Sequence, residues 1–315
     1  MADITSKQTA ETGHRSLFSD LIFRLITEKP LGTAGFIITI VFLATAIFAP
    51  YIAPYAPNQI HGLSALKGPS LQFWLGTDNL GRDLLSRIIF GARVSVIVGL
   101  GASVVASVVE ITIGVLAGYI GGTFDLIVQR FVDAVMCFPG LILMMVIISL
   151  TGPGIMQLVL VLGITWGITG SRLIRSATMT IKQNMYIQAA VSAGSPTSNI
   201  IFDHIIPNIM APIIVQFTTR IPAIILTEAS LSFLGFGIPP PAVSWGAMLS
   251  GSARTYMYKD PWMAFWPGLA LSLVVYGVSM FGDALRDLLD PRLRGGIGRY
   301  GTKVKRQPKE LKTER

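Results

Sequence analysis

The chain has 315 residues, of which 51% are hydrophobic and 13% are charged, and its mean hydropathy is +0.61. Soluble domains carry about 25% charged residues, so this composition excludes a soluble globular protein. The apolar excess and the single cysteine, Cys137, also exclude disordered and disulfide-stabilised scaffolds. Apolar stretches run unbroken for about 20 residues, which favours transmembrane helices over a β-barrel. The sequence therefore predicts an all-α polytopic membrane protein.

Hydropathy predicts six transmembrane helices, each close to the ~20 residues that a bilayer requires. The predicted spans are 32–53, 94–120, 127–150, 155–172, 209–234 and 263–285. Leu17, Phe18, Leu21 and Leu25 recur on one side of a helix before the first span, which predicts a short helix on the membrane surface. The chain then divides into an N-terminal segment (1–30), the first span with its outer loop (31–93), a transmembrane domain with a cytoplasmic loop at 186–208 (94–290) and a basic tail (291–315).

Lysine and arginine are distributed unequally between the two sides of the predicted membrane domain. The side that holds both termini and the 186–208 loop carries 18 of these residues, and the opposite side carries six. By the positive-inside rule, both termini and this loop face the cytoplasm. The net charge of +8 is then explained by topology and by contact with anionic membrane lipid, and no nucleic-acid partner is expected.

The 186–208 loop has the pattern of two short helices joined by a turn. The stretch from Tyr186 to Ala193 is rich in helix formers, and Gly194 allows a sharp turn. A second helix is predicted from Ser198 through Ile206, with Pro207 at its end. We expect this structure to stand on the cytoplasmic face, where its small side chains suit insertion into a groove on a partner protein.

Three charged residues fall within the predicted spans and away from their cytoplasmic ends, namely Glu110, Arg220 and Glu228. Charges are costly in a bilayer, so these residues are candidates for a translocation path or for contacts between subunits. Arg220 and Glu228 are eight positions apart, so they share a helix face but are too distant to pair directly. Gly114 and Gly118 form a GxxxG pair, which is typical of close helix packing.

Two other classes of membrane protein are less compatible with the sequence. An intramembrane protease requires a histidine at the depth of its nucleophile, but His14, His61 and His204 all fall outside the predicted spans. No GxxxxGK[ST] segment is present, so energy from ATP must come from another polypeptide. Secondary transporters commonly contain inverted repeats, and none is evident here, so a secondary transporter or channel is a distant alternative.

The 186–208 loop resembles the EAA loop of binding-protein-dependent ABC importer permeases. The positions that match are Ala189, Ala190, Gly194, Ile205 and Pro207, and Gln188 stands where the motif has glutamate. Stretches 75–95, 228–248 and 282–292 resemble signatures of the branch that imports dipeptides, oligopeptides and nickel. The short loop between the first two spans and the last of these stretches are similar to the second of the two permeases in such systems.

This resemblance implies a type I ABC importer (MetI-like) fold in the cell membrane of a prokaryote. It implies assembly as a heterodimer with a second homologous permease, two ABC ATPase subunits and an extracytoplasmic substrate-binding protein. The chain would then not be an enzyme and would hold no cofactor or metal itself, because ATP and Mg²⁺ bind the ATPase subunits. Peptides are the expected cargo, with nickel or another small solute as the alternative.

The resemblance also assigns roles to two groups of residues. It implies that the ATPase subunit contacts Tyr186, Gln188, Ala189, Ala190, Gly194, Ile205 and Pro207. It places candidate contacts with the binding protein on the outer face at Asp78, Arg82, Asp83 and Trp245.

Overall fold

The structure is a computed structural model that describes residues 17–289, so the predicted basic tail lies outside the described residues. Within that range the chain is helical and contains no strand, apart from an isolated β-bridge between Thr77 and Asp83. The main helices are α1 (Leu17–Glu28), α2 (Pro30–Ile47), α3 (Leu84–Ile120), α4 (Gly122–Met136), α5 (Gly140–Thr151), α6 (Ile155–Lys182), α7 (Met185–Ser192), α8 (Met210–Phe233) and α9 (Trp262–Leu289). Short helical segments cover Ala49–Ile52, Gly62–Ser64, Thr197–Asn199, Ile200–Ile205, Ile206–Asn208, Trp245–Leu249 and Ser252–Tyr256.

Five of these helices, α2, α3, α6, α8 and α9, are long and apolar enough to cross a membrane. Helices α4 and α5 make a sixth candidate only as a pair, because they are bent by 89° relative to one another. The span predicted over 127–150 is therefore broken into two helices, and a crossing at this place requires both of them. The chain leaves the helix at Cys137, and Pro139 disfavours helical geometry at Phe138 before it.

Helix α3 extends much further than its predicted span. Residues 84–93, which precede the predicted span, are continuous with it in one helix of 37 residues, about 55 Å long. Arg93 donates from Nε to the carbonyl oxygen of Ala46 at 3.2 Å, and Arg87 donates to the carbonyl oxygen of Pro57 at 3.1 Å. Both arginines therefore bind backbone groups of the first span and the outer loop.

The closest helix pair joins α3 to α6. A Cβ atom on Gly114 would lie 2.7 Å from the carbonyl oxygen of Ser171, and one on Gly118 would lie 2.8 Å from that of Arg175. Such distances are too short for any side chain, so the two backbones are in direct contact. The predicted role of the GxxxG pair in helix packing is confirmed.

Helix α1 confirms the short helix predicted before the first span, and its end is fixed against α9. Leu25 is buried against Ala284 and Leu288. Next to this contact, Lys29 Nζ lies 2.5 Å from Asp287 Oδ2. The start of the first span and the end of the last are thereby held together.

Candidate functional site

The segment 185–208, which we call the knob, begins with α7 and turns sharply at Gly194. Gly194 has φ +77°, its N–H donates to Val191 O at 3.0 Å, and the N–H of Ser195 donates to Ala190 O at 3.1 Å. This pair of hydrogen bonds is a Schellman motif, which favours glycine at the left-handed position. The predicted first helix and turn of the knob are confirmed.

The second arm of the knob differs from the prediction. It starts at Thr197, with Pro196 rather than Ser198 at the N-cap, and it contains a π-helical stretch over Ile200–Ile205. Pro207 does not end it, because a short helix covers Ile206–Asn208. A proline is tolerated in the first turn of a helix, where its missing N–H has no intrahelical partner.

One face of the knob is buried against the helix bundle. Ile187 and Ile205 are almost fully buried and pack in one cluster with Val115 of α3 and Ile174 of α6. Ile205 was expected to contact a partner, but its side chain is buried by contacts within this chain and is not exposed. Its place in the motif is explained by its anchoring of the second arm to the bundle.

The opposite face of the knob is exposed and largely apolar. Met185 is 85% exposed, Phe202 is 68% exposed, and Val191 and Tyr186 are also exposed. Gln188, Ala189, Gly194 and Pro207 are exposed as well, whereas Ala190 is half-buried. The sequence interpretation missed Met185, Val191 and Phe202. Met185 lies two positions before the buried Ile187, and this spacing places it on the opposite side of α7.

A cavity of about 740 Å³ lies between α7 and the ends of α3 and α6. Gln188 and Val191 of the knob line it together with Lys182. Lys182 Nζ donates to the carbonyl oxygen of Tyr119 at 2.5 Å, which ties the end of α6 to the end of α3. The knob thus lies at the junction of the two most closely packed helices.

The intramembrane charges separate into two sites. Arg220 of α8 donates from Nη2 to Glu110 Oε2 of α3, and both side chains are buried. Gly170 of α6 leaves room for this ion pair, because a Cβ there would lie 2.8 Å from Arg220 Nη2. Glu228 is not part of this site, and its Oε1 accepts a hydrogen bond of 2.7 Å from Ser232 Oγ.

Two cavities follow one side of α8. The first, about 310 Å³, is lined by Arg220 and by Trp166 of α6. The second, about 330 Å³, extends to Arg286 of α9. Gln216 and Thr219 line both cavities, so the two lie next to each other along α8, and we call them together the groove between α6 and α8.

The acidic residues expected on the outer face have internal partners. Asp78 accepts from Arg82 Nε at 2.7 Å and from the Arg82 N–H at 2.9 Å. Asp83 caps the N-terminus of α3 by accepting from the Ser86 N–H at 2.8 Å. Both carboxylates are buried, so they organise the outer loop and do not present a contact surface. Arg82 is half-buried and reaches the surface in part.

Trp245 is also buried and not available to a partner. Its Nε1 donates to the carbonyl oxygen of Ile88 at 2.9 Å, and its ring packs directly on Gly91. The exposed apolar side chains of this face lie instead in the outer loop, where Leu63 and Leu71 are fully exposed. No group of three or more His, Cys, Asp or Glu side chains suited to a metal occurs within residues 17–289.

Comparison with known families covers most of the chain. Residues 110–295 match the binding-protein-dependent transport system inner membrane component, and residues 16–69 match the N-terminal TM domain of oligopeptide transport permease C. The chain belongs to the family of binding-protein-dependent transport permeases. The family and the fold class expected from the sequence are confirmed, and the protein is a multi-pass membrane permease subunit.

Three relatives named for their transport function agree with this assignment. The chain is 38% identical over 272 residues to the dipeptide transport system permease protein of Alkalihalophilus pseudofirmus, covering 86% of this chain and 89% of the relative. It is 36% identical to the oligopeptide transport system permease protein of Bacillus subtilis, covering 89% and 91%. It is 38% identical to the glutathione transport system permease protein of Pectobacterium atrosepticum, covering 86% and 90%.

Proposed function

We propose that this chain is one of two permease subunits that together enclose the pore of an ATP-driven peptide importer. The relatives described above are named for the transport of dipeptides, oligopeptides and glutathione, which is itself a tripeptide. This shared chemistry favours a peptide over a nickel chelate as the cargo. The groove along α8, with Glu110 and Arg220 at one end, is the part of this chain that we assign to the solute path.

The proposal that the knob couples this chain to an ATPase subunit rests on the exposed apolar side chains of the knob. Met185 and Phe202 are large apolar side chains on a segment whose other face is firmly packed on α3 and α6. An exposed apolar patch on a rigid base is typical of a protein interface. Two ABC ATPase subunits bind ATP and Mg²⁺, one docks on this face, and closure of the pair biases the permeases between two states.

The same proposal fixes the orientation of the chain. The knob and both termini face the cytoplasm, and the outer loop around Leu63 and Leu71 faces the binding protein that delivers the peptide. The lysine and arginine distribution supports this arrangement. ATP hydrolysis takes place in the partner subunits, and this chain contributes no catalytic group.

Co-purification and ATP hydrolysis test the proposal together. The tagged chain, isolated from its native host in mild detergent, is expected to retain a second permease and P-loop ATPases. Phe202→Ala is expected to remove most of the binding-protein-stimulated ATP hydrolysis, because it truncates the exposed face without disturbing the buried one. Phe265→Ala, which truncates an exposed phenylalanine on α9, is the matched control. Equal stimulation in both variants, or repeated isolation of the chain alone, contradicts the proposal.

A further inference from the structure

The groove between α6 and α8 contains polar side chains although both helices are long enough to span a membrane. It follows one side of α8 from Ala211 to Ala223, a length of about 18 Å. Gln216 and Thr219 lie in its middle and Arg220 lies near one end. Polar side chains within a spanning helix face the bundle interior or a water-filled path rather than lipid. The groove is therefore suited to contact with a polar solute.

The charged side chains that line the groove are both positive. Arg220 lines its first cavity and Arg286 its second. Glu110, the partner of Arg220, is fully buried on α3 and lines neither cavity. Among residues 17–289, the lining of the groove thus presents cations and no carboxylate, which favours a negatively charged group on the solute.

Three polar atoms at the Arg220 end are buried and have no partner, namely the donors Arg220 Nη1 and Trp166 Nε1 and the acceptor Glu110 Oε1. Arg220 and Trp166 line the same cavity. Glu110 holds the other terminal nitrogen of the guanidinium, Nη2, and so fixes its orientation. A buried donor without an acceptor is costly, and a carboxylate brings two strong acceptor oxygens.

We propose that the Arg220 end of this groove is a transit subsite for the C-terminal carboxylate of a peptide, an inference that rests on the proposed function. One carboxylate oxygen accepts from the Arg220 guanidinium, and the other accepts from Trp166 Nε1. The ion pair with Glu110 partly neutralises the arginine, which keeps the peptide weakly held, as a conducting site requires. Gly170 leaves space beside the guanidinium that any side chain would fill.

Uptake into proteoliposomes tests this subsite, with the complete assembly and its binding protein present. The probes are the alanine tripeptide and its C-terminal amide, each supplied above the concentration that saturates the binding protein. Trp166→Phe removes one indole N–H and leaves the Arg220–Glu110 pair intact. Trp266→Phe is the matched control, because Trp266 Nε1 on α9 is also buried without a partner but does not line the groove. Arg220→Lys keeps the charge and loses the planar fork.

The subsite predicts a loss that depends on the carboxylate. Trp166→Phe and Arg220→Lys are each expected to lower uptake of the tripeptide about tenfold, the effect of losing one hydrogen bond to a charged group. In both variants uptake of the amide is expected to fall far less than uptake of the tripeptide, and ATP hydrolysis stimulated by the loaded binding protein is retained. Trp266→Phe changes neither.

Equal losses for both peptides, or no loss for either in Trp166→Phe, overturn the subsite. If Arg220→Lys fails to assemble, Trp166→Phe still decides the question because it leaves the ion pair in place. Absence of stimulated ATP hydrolysis in the unaltered assembly contradicts the proposed function instead, so the two failures are distinguishable.

Discussion

Gly194 is the residue of the knob whose identity follows most directly from backbone geometry. Its φ of +77° costs an L-residue about 1–2 kcal/mol, yet no atom lies within 4 Å of a Cβ placed there. A substitution therefore acts through the backbone and not through a clash. We expect Gly194→Val to abolish peptide uptake, because a β-branched residue disfavours the turn that separates the two arms.

Gly194→Asn is the matched control for that variant, since asparagine adopts the left-handed region more readily than other side chains. We expect it to retain most of the uptake. Membrane insertion, followed by fractionation and thermal denaturation, is expected to be normal in both variants. Full uptake by Gly194→Val at normal abundance contradicts a coupling role for this turn.

Asp83 illustrates how a motif residue can have a structural role. Because its carboxylate caps α3, Asp83→Ala is expected to cost about 1 kcal/mol and to lower the midpoint of thermal unfolding. Asp83→Asn, which preserves a capping oxygen, is expected to be close to neutral. Neither change is expected to alter the affinity for the binding protein, measured with the assembly in nanodiscs. A selective loss of that affinity in both variants supports the original expectation of a receptor contact.

Predictions for single residues succeeded where neighbouring positions in the sequence determine the local structure. They failed where the environment of a residue depends on a partner far away in the chain. Gly194 and the GxxxG pair have signatures within a few positions, and the structure confirms both. The partner of Arg220 is 110 positions away in the chain, so no local spacing identifies Glu110. Trp245 was predicted as a contact on the outer face. It is buried because its ring packs on Gly91, a residue far from it in the chain.

At the scale of elements, the contact between α3 and α6 is the interface most sensitive to side-chain volume. We expect Gly114→Leu to separate the two helices, because even its Cβ would meet the backbone of Ser171. Overpacking of this kind costs about 1–3 kcal/mol or more. Gly268→Ala is the control, since its Cβ in α9 would have only Leu249 nearby, at 3.9 Å. Thermal denaturation in detergent is expected to show destabilisation in the first variant alone.

The bend between α4 and α5 shows what hydropathy cannot determine at this scale. Pro139 and Gly140 predicted a kink, but the bend of 89° depends on where α4 is held. Arg175 of α6 binds Asp125 at 2.5 Å, and Arg172 pairs with Asp133. These ion pairs hold α4 along the end of α6, and their partners are about 40 to 50 positions apart in the chain. Apolar length alone therefore predicted one span here and could not predict the size of its bend.

At the scale of the whole molecule, the helical membrane fold class and the family were accessible from the sequence because they rest on composition and long motifs. The packing of the crossings was not, since it depends on small-residue contacts and ion pairs between distant segments. The knob combines both cases. Its motif predicted its position and its turn, whereas the separation into a buried isoleucine face and an exposed Met185 and Phe202 face required the bundle beneath it.

The orientation of the molecule is tested by placing single cysteines at its two ends. In a Cys137→Ser background, Ala65→Cys lies in the exposed outer loop and Ser198→Cys lies on the exposed part of the knob. If lysine and arginine determine the topology, a membrane-impermeant maleimide added to intact spheroplasts labels the first variant and not the second. Permeabilised cells label both, and the background without cysteine shows no signal. Labelling of Ser198→Cys in intact spheroplasts reverses the proposed orientation and places the knob out of reach of any ATPase.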